Sequence, residues 1–183
     1  MSYIPSGIAE IDELIDGWPK RAVTLLVGES GVGKSTLLIL SAILASRRNV
    51  RVYYIDTEGN CIPEAGSVIV ERAVESMESL ENSISKLLKL PRDMLEESLI
   101  IVDSITYHYH ALIRMAENDT LRDRIQADLE KIIYTLNNIA VRYDSAVVLS
   151  TWPTSMVSEE EEGGFVGGFA VRTYSRIQLR MFF

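Results

Sequence analysis

A glycine, four residues, then glycine, lysine and serine is a spacing that suits phosphate chemistry, and Gly28-Glu29-Ser30-Gly31-Val32-Gly33-Lys34-Ser35 has it. The glycines let the backbone curl so that successive N–H groups converge on an anion. Lys34 is placed to neutralise β- and γ-phosphates, and Ser35 to offer its hydroxyl to magnesium. A helix starting at Lys34 would aim the positive end of its dipole at the same anion. Gly28 through Thr36 are therefore the expected nucleotide contacts, with ATP and Mg2+ as the expected ligands. Leu99-Ile100-Ile101-Val102-Asp103 is an apolar run ending in a carboxylate, which is how a second magnesium contact is supplied beside such a loop. The expected metal contacts are Ser35 and Asp103.

Tyr54-Ile55-Asp56-Thr57-Glu58-Gly59 puts two more carboxylates at the end of an apolar run. Hydrolysis needs a group that orients or deprotonates the attacking water, and a carboxylate near the γ-phosphate can do so. Glu58 is the expected base and, with Lys34, makes up the expected catalytic pair. Asp56 is expected to hold the loop or the outer magnesium shell. His108 and His110 alternate with Tyr107 and Tyr109, so metal binding, base stacking or plain loop packing all stay open, as do stacking or burial for Trp152.

These residues need elements to position them, and strands and helices alternate along the chain in the manner of a parallel sheet covered on both faces. Apolar spacing in Ile8, Ile11, Leu14 and Ile15 predicts an opening helix that ends at Gly17 and Pro19. Strands are predicted over Ala22–Val27, Arg51–Asp56, Ser98–Asp103 and Ser145–Thr151. Helices are predicted over Lys34–Ser46, Leu80–Leu90 and Leu121–Tyr143, the last from the period Ile125, Leu129, Ile132, Leu136 and Ile139. Residues 107–120 read as polar and irregular. Pro153–Gly168, with Glu159-Glu160-Glu161-Glu162 and several glycines, reads as a mobile loop. Ala170–Phe183 reads as one or two closing strands. The expected fold class is α/β, a P-loop core with a mostly parallel twisted sheet, and residues 1–183 are expected to form one domain.

With 183 residues, 47% of them hydrophobic, the chain can bury a continuous core. Its apolar runs are too short to cross a bilayer and no leader pattern opens it, so a cytoplasmic protein with no membrane contact is expected. A single cysteine, Cys61, gives no internal disulfide. The net charge of −8 opposes general attraction to nucleic acid. Arg47-Arg48, Arg122 to Arg124 and Arg172 to Arg180 are the local basic clusters.

Taken together, these segments resemble the RecA family, in particular the archaeal and eukaryotic RadA-type recombinases and their shorter RadB-type paralogues. The likeness covers most of residues 4–181. It rests on Ile4-Pro5-Ser6-Gly7-Ile8 through Asp12-Glu13-Leu14, the glycine loop, Asp56-Thr57-Glu58-Gly59 and Val102-Asp103-Ser104-Ile105-Thr106. The resemblance implies that Glu58 is the catalytic glutamate, that residues near 108–124 form a first DNA loop and that residues 153–166 form a second. The chain opens almost directly on the core, which resembles a paralogue more than a filament former. Thr151-Trp152 stands where the family usually carries Asn-Gln after the fourth strand. The consecutive glutamates Glu159 to Glu162 would repel a phosphate backbone at close range.

The leading expectation is a weak, magnesium-dependent ATPase that assists homologous recombination and DNA repair, with a recombinase or other repair protein as partner and oligomerisation left open. The alternative is a nucleotide-gated adaptor, or a KaiC-like regulator, that binds ATP and acts through protein contacts with little hydrolysis. A P-loop small-molecule kinase is disfavoured because no arginine-rich lid can be identified.

Overall fold

The structure is a computed structural model, and it describes residues 2–59, 68–71, 74–153 and 168–182. In chain order the elements are β1 (Tyr3–Ile4), α1 (Ala9–Ile15), β2 (Trp18–Pro19), β3 (Ala22–Gly28), α2 (Lys34–Arg47), β4 (Val52–Asp56) and β5 (Val68–Glu71). There follow α3 (Met77–Leu87), α4 (Arg92–Leu95), β6 (Leu99–Asp103), α5 (Tyr107–Met115), α6 (Asp119–Tyr143), β7 (Ala146–Thr151), α7 (Gly168–Tyr174) and β8 (Ser175–Met181).

Every residue of β3, β4, β6 and β7 is buried, which explains their near-continuous apolar sequences. Strands that are covered on both faces need apolar side chains on both. The large sheet has the order β5-β4-β6-β7-β3-β8, and all of its recorded pairings are parallel. The α/β class read from the sequence therefore holds. Val23, Leu25, Ile100, Val102 and Leu149 face one core with Leu80 and Ile84 of α3 and Leu129, Ile133 and Leu136 of α6. Leu26, Ile101 and Val148 face the other with Leu38, Ala42 and Ala45 of α2. A small antiparallel pair, β1 with β2, seats Trp18 in this second core, where its indole N–H donates to Ser41 Oγ at 2.6 Å.

Register brings the strand ends level. Asp56 pairs with Asp103 across β4 and β6, and Val27 pairs with Thr151 across β3 and β7. Ligands of open parallel sheets bind at these carboxyl ends.

Several local expectations need correction. Residues 107–120 are not irregular: α5 occupies Tyr107–Met115, and α6 begins at Asp119, where the Asn118 side chain accepts from the Leu121 N–H at 2.9 Å. Tyr109 and Ile113, four apart, put α5 against the core, a signal hidden among the polar residues around them. The helix read as Leu80–Leu90 runs Met77–Leu87, started by reciprocal Ser76 and Ser79 capping bonds. The chain after Ala170 is not all strand, because α7 covers Gly168–Tyr174 before β8. Val171 is fully buried and the Tyr174 ring lies 5.8 Å from that of Tyr134 on α6, so packing against α6 outweighs the β-propensity of this stretch. The sequence pattern predicts neither β5 nor α4. The acidic stretch Glu159–Glu162 and Cys61 fall outside the described residues.

Candidate functional site

Strand β3 delivers the chain to Gly28, and residues 29–33 turn it back into α2. Gly31 and Gly33 hold φ values of 82° and 97°, in the left-handed region that glycine tolerates best. Gly33 is the N-cap of α2 and brings no capping side chain, so the first backbone donors of that helix are not answered by a cap. Glu29, Ser30 and Gly31 are exposed, as is Thr36, while Ser35 is partly buried. The loop thus leads into a helix start whose first N–H groups have no side-chain cap, and a Cβ at Gly31 or Gly33 would meet nothing within 4 Å. That fits a bound phosphate chain.

Lys34 is only 6% exposed, and its ammonium donates to the carbonyl oxygens of Gly28 and Glu29, each at 2.8 Å. An ammonium has three donors, so a third remains for another acceptor. Burial lowers the Lys34 pKa, and the carboxylates of Glu58 and Asp103 pull it back up. Glu58 shows the converse. Burial raises its pKa, Asp103 raises it further, Lys34 opposes, and Asp56 adds to the rise. Three groups from α2, the end of β4 and the end of β6 therefore share one electrostatic site.

Asp103 is fully buried. Its Oδ2 accepts from the Tyr54 hydroxyl at 2.9 Å and its Oδ1 accepts from Ser150 Oγ, so β4 and β7 both orient it. Burial first, then the adjacent Asp103 carboxylate, pushes the Tyr54 pKa far up, which keeps that hydroxyl a donor. Asp56 accepts the N–H groups of Glu58 and Gly59 on Oδ1 at 3.1 and 3.0 Å, the loop-holding role expected of it.

Thr57, just before Glu58, is tied three ways. Its N–H donates to Asp103 O at 2.9 Å, its hydroxyl donates to Ser104 O at 2.8 Å, and it accepts from Ser104 N at 2.8 Å. The Asp103–Ser104 peptide is cis. On the far side Thr106 Oγ1 and Thr151 Oγ1 share a 2.7 Å hydrogen bond, and Ile105 N donates to Ser150 O at 3.0 Å. Tyr54, Thr57, Ser104, Thr106 and Thr151 stand in or beside the motifs, and Ser150 just before Thr151, but the motifs assign none of them these bonding roles. The available signal was a set of hydroxyls at the ends of otherwise apolar strands, where buried polar groups require partners. Valine at Thr57 is expected to remove both hydroxyl bonds and lower stability by about 1–3 kcal/mol, with serine retaining most of it. Urea unfolding of the two variants checks this.

Tyr107, His110 and Trp152 cluster edge to face at ring distances of 5.7 and 6.0 Å, and His108 Nε2 lies 2.8 Å from Val74 O. His108 therefore packs into the structure, and Trp152 packs partly on the core. No group of three or more His, Cys, Asp or Glu among the described residues is placed to hold a metal ion.

A cleft of about 310 Å³ adjoins the loop at Gly28, Glu29 and Val32. A larger one, about 440 Å³, lies at the opposite, amino-terminal edge of the strands among Lys20, Arg51 and Glu97. It is remote from the carboxylates and the loop lysine.

Residues 2–151 match the family model described as "AAA domain". The chain is also similar to proteins called "DNA repair and recombination protein RadB". That of Halobacterium salinarum is 24% identical over 98% of this chain and 80% of its own length. That of Methanobrevibacter smithii is 28% identical over 93% and 77%. The Thermococcus gammatolerans protein is 31% identical over 59% and 54%. The RadB-type likeness drawn from the motifs thus extends across the chain. No helix among the described residues is long and apolar enough to cross a membrane.

Proposed function

The chain belongs to the AAA domain family, and from that premise we propose that it binds ATP with magnesium, hydrolyses it weakly and assists homologous recombination and DNA repair. The observation that carries this reading is the convergence of Lys34, Glu58 and Asp103 beside an uncapped helix start. The relatives named for DNA repair and recombination support the biological setting.

In this reading residues 28–36 form the phosphate cradle, with backbone N–H groups and the remaining Lys34 donor meeting the β- and γ-phosphates. Ser35 and Asp103 would hold Mg2+, which when bound screens the charge that develops between the phosphates. Magnesium in such sites rests on one or two protein groups plus phosphate oxygens, so two protein ligands suffice. Tyr54 and Ser150 fix the Asp103 carboxylate in place. Glu58 accepts the proton of the attacking water or orients it, and the Thr57–Ser104 pair sets where Glu58 stands relative to Asp103. Burial and the neighbouring carboxylates raise the Glu58 pKa, which strengthens it as a base once it is ionised.

The proposed unit is one RecA-like domain over residues 1–183, working in the cytoplasm with a recombinase or another repair protein. DNA contact is weakened by Glu159 to Glu162, which oppose phosphates at short range. ATP turnover measured alone, with single-stranded DNA and with a recombinase tests the reading. Turnover that rises with DNA or recombinase supports it. ATP binding with no turnover under any of the three conditions replaces it with the adaptor.

A further inference from the structure

The cleft of about 440 Å³ lies where the strands begin, at the end of the sheet away from the phosphate loop. The turn from α2 into β4 delivers Arg48 and Arg51 to it. Asn49 makes that turn with a left-handed φ of 63°, and Leu99 N donates to Arg51 O at 2.9 Å, which fixes the start of β4 against β6. Each guanidinium is anchored to main chain through one nitrogen: Arg51 Nη1 donates to Asp93 O at 2.8 Å, and Arg48 Nη1 to Pro5 O at 3.4 Å. A guanidinium carries five N–H donors, so most of both forks stays open.

The other charges lining the cleft are largely matched. Lys20 Nζ lies 2.6 Å from Glu97 Oε1, and Arg92 Nη2 lies 3.4 Å from Glu96 Oε1. Among the described residues neither Arg48 nor Arg51 has a carboxylate at ion-pair distance, and Asp93 has no cation there. Two unmatched cations thus stand beside one unmatched anion, on a chain whose net charge is −8. A planar fork with spare donors matches a carboxylate with two parallel bonds. The cleft exceeds what one oxyanion fills, because a water takes only about 30 Å³. A nucleic-acid strand suits it poorly, since its closely spaced phosphates would also meet Asp93, Glu96 and Glu97. A polypeptide can offer a carboxylate to the arginines and a cation to Asp93.

We propose that this cleft docks an extended segment of a partner protein, in which an acidic side chain meets Arg48 and Arg51 and a neighbouring basic side chain meets Asp93. The inference goes beyond the nucleotide reading and does not depend on it. The cleft and the phosphate loop lie at opposite ends of the strands, so a docked segment leaves the loop open. Its attraction comes from charges near the surface, each pair contributing modestly, so binding is weak and falls with added salt. Loss of both guanidinium charges weakens it by about three- to tenfold.

The test follows the fluorescence anisotropy of three dye-labelled probes titrated with the full chain: an octapeptide alternating Glu and Lys, octaglutamate, and an oligothymidylate of the same length. The alternating peptide is expected to bind most tightly, and saturating MgATP to leave its affinity unchanged. In the double variant Arg48→Gln, Arg51→Gln that affinity should fall by about three- to tenfold. Asp93→Lys supplies a gain that misfolding cannot imitate, because octaglutamate should bind this variant several-fold tighter than the wild-type chain. The proposal is overturned if the alternating peptide does not bind, if the double variant binds it as well as the wild-type chain, or if Asp93→Lys brings no gain. Displacement of the peptide by MgATP would place it on the phosphate loop and overturn the proposal too. Tighter binding of the oligothymidylate through the same two arginines would make the cleft a nucleic-acid site. Displacement by inorganic phosphate at equal concentration would make it a small-anion site, and either result removes the docked segment.

Discussion

Glutamine in place of Glu58 is expected to leave ATP bound while slowing its hydrolysis by ~10²–10⁴-fold, the range general-base catalysis contributes. The amide keeps the size and the position at the end of β4, where Asp56 and Thr57 hold the turn from either side. It loses the negative charge and with it the ability to take a proton. The pH profile gives a second readout. Glu58 works ionised, and its pKa is raised by burial, then by Asp103. Turnover of the wild-type chain should therefore fall as pH drops through a value above the ordinary glutamate range, and the limb should vanish in the glutamine variant. Unchanged turnover would make Glu58 a structural residue.

Alanine in place of Lys34 is expected to weaken MgATP binding by about 100-fold or more. The one free donor of Lys34 makes a charged hydrogen bond contributing about 1.5–3 kcal/mol net, the loss of the ammonium charge beside the phosphates adds to it, and about 1.4 kcal/mol is tenfold. A further consequence follows from the coupling of the site. Lys34 holds the Glu58 pKa down, so its removal lets that pKa climb, and any residual turnover should show its acid limb at higher pH. Direct titration of nucleotide into the variant measures the first effect. Affinity equal to that of the wild-type chain would remove the loop from the site.

The parts of this molecule that were legible in its sequence are those set by local pattern. Ala22–Gly28, the glycine loop and α2 announce themselves through an apolar run, glycines and an apolar helix in immediate succession. Asp103 stands out as a charge closing the run Leu99–Val102. What local pattern does not carry is which strands become neighbours. β7 lies between β3 and β6, and only that order brings Ser150 to Asp103 and Thr151 to Thr106. Tyr54 belongs to an apolar run whose pattern says nothing of its hydroxyl, and its bond to Asp103 depends on the β4–β6 register. The segments misassigned were those where tertiary packing outweighs propensity. Tyr109 and Val171 are buried by contact with the core, in stretches whose remaining residues suggest loop and strand.

The most direct test loads the wild-type chain with ATP in the presence of a magnesium chelator and follows phosphate release after Mg2+ is added. The expected result is a stoichiometric complex that releases phosphate slowly once the metal is present and negligibly while it is chelated. ATP that is not retained at all, or phosphate release indifferent to Mg2+, would contradict a site built from Lys34, Ser35, Glu58 and Asp103.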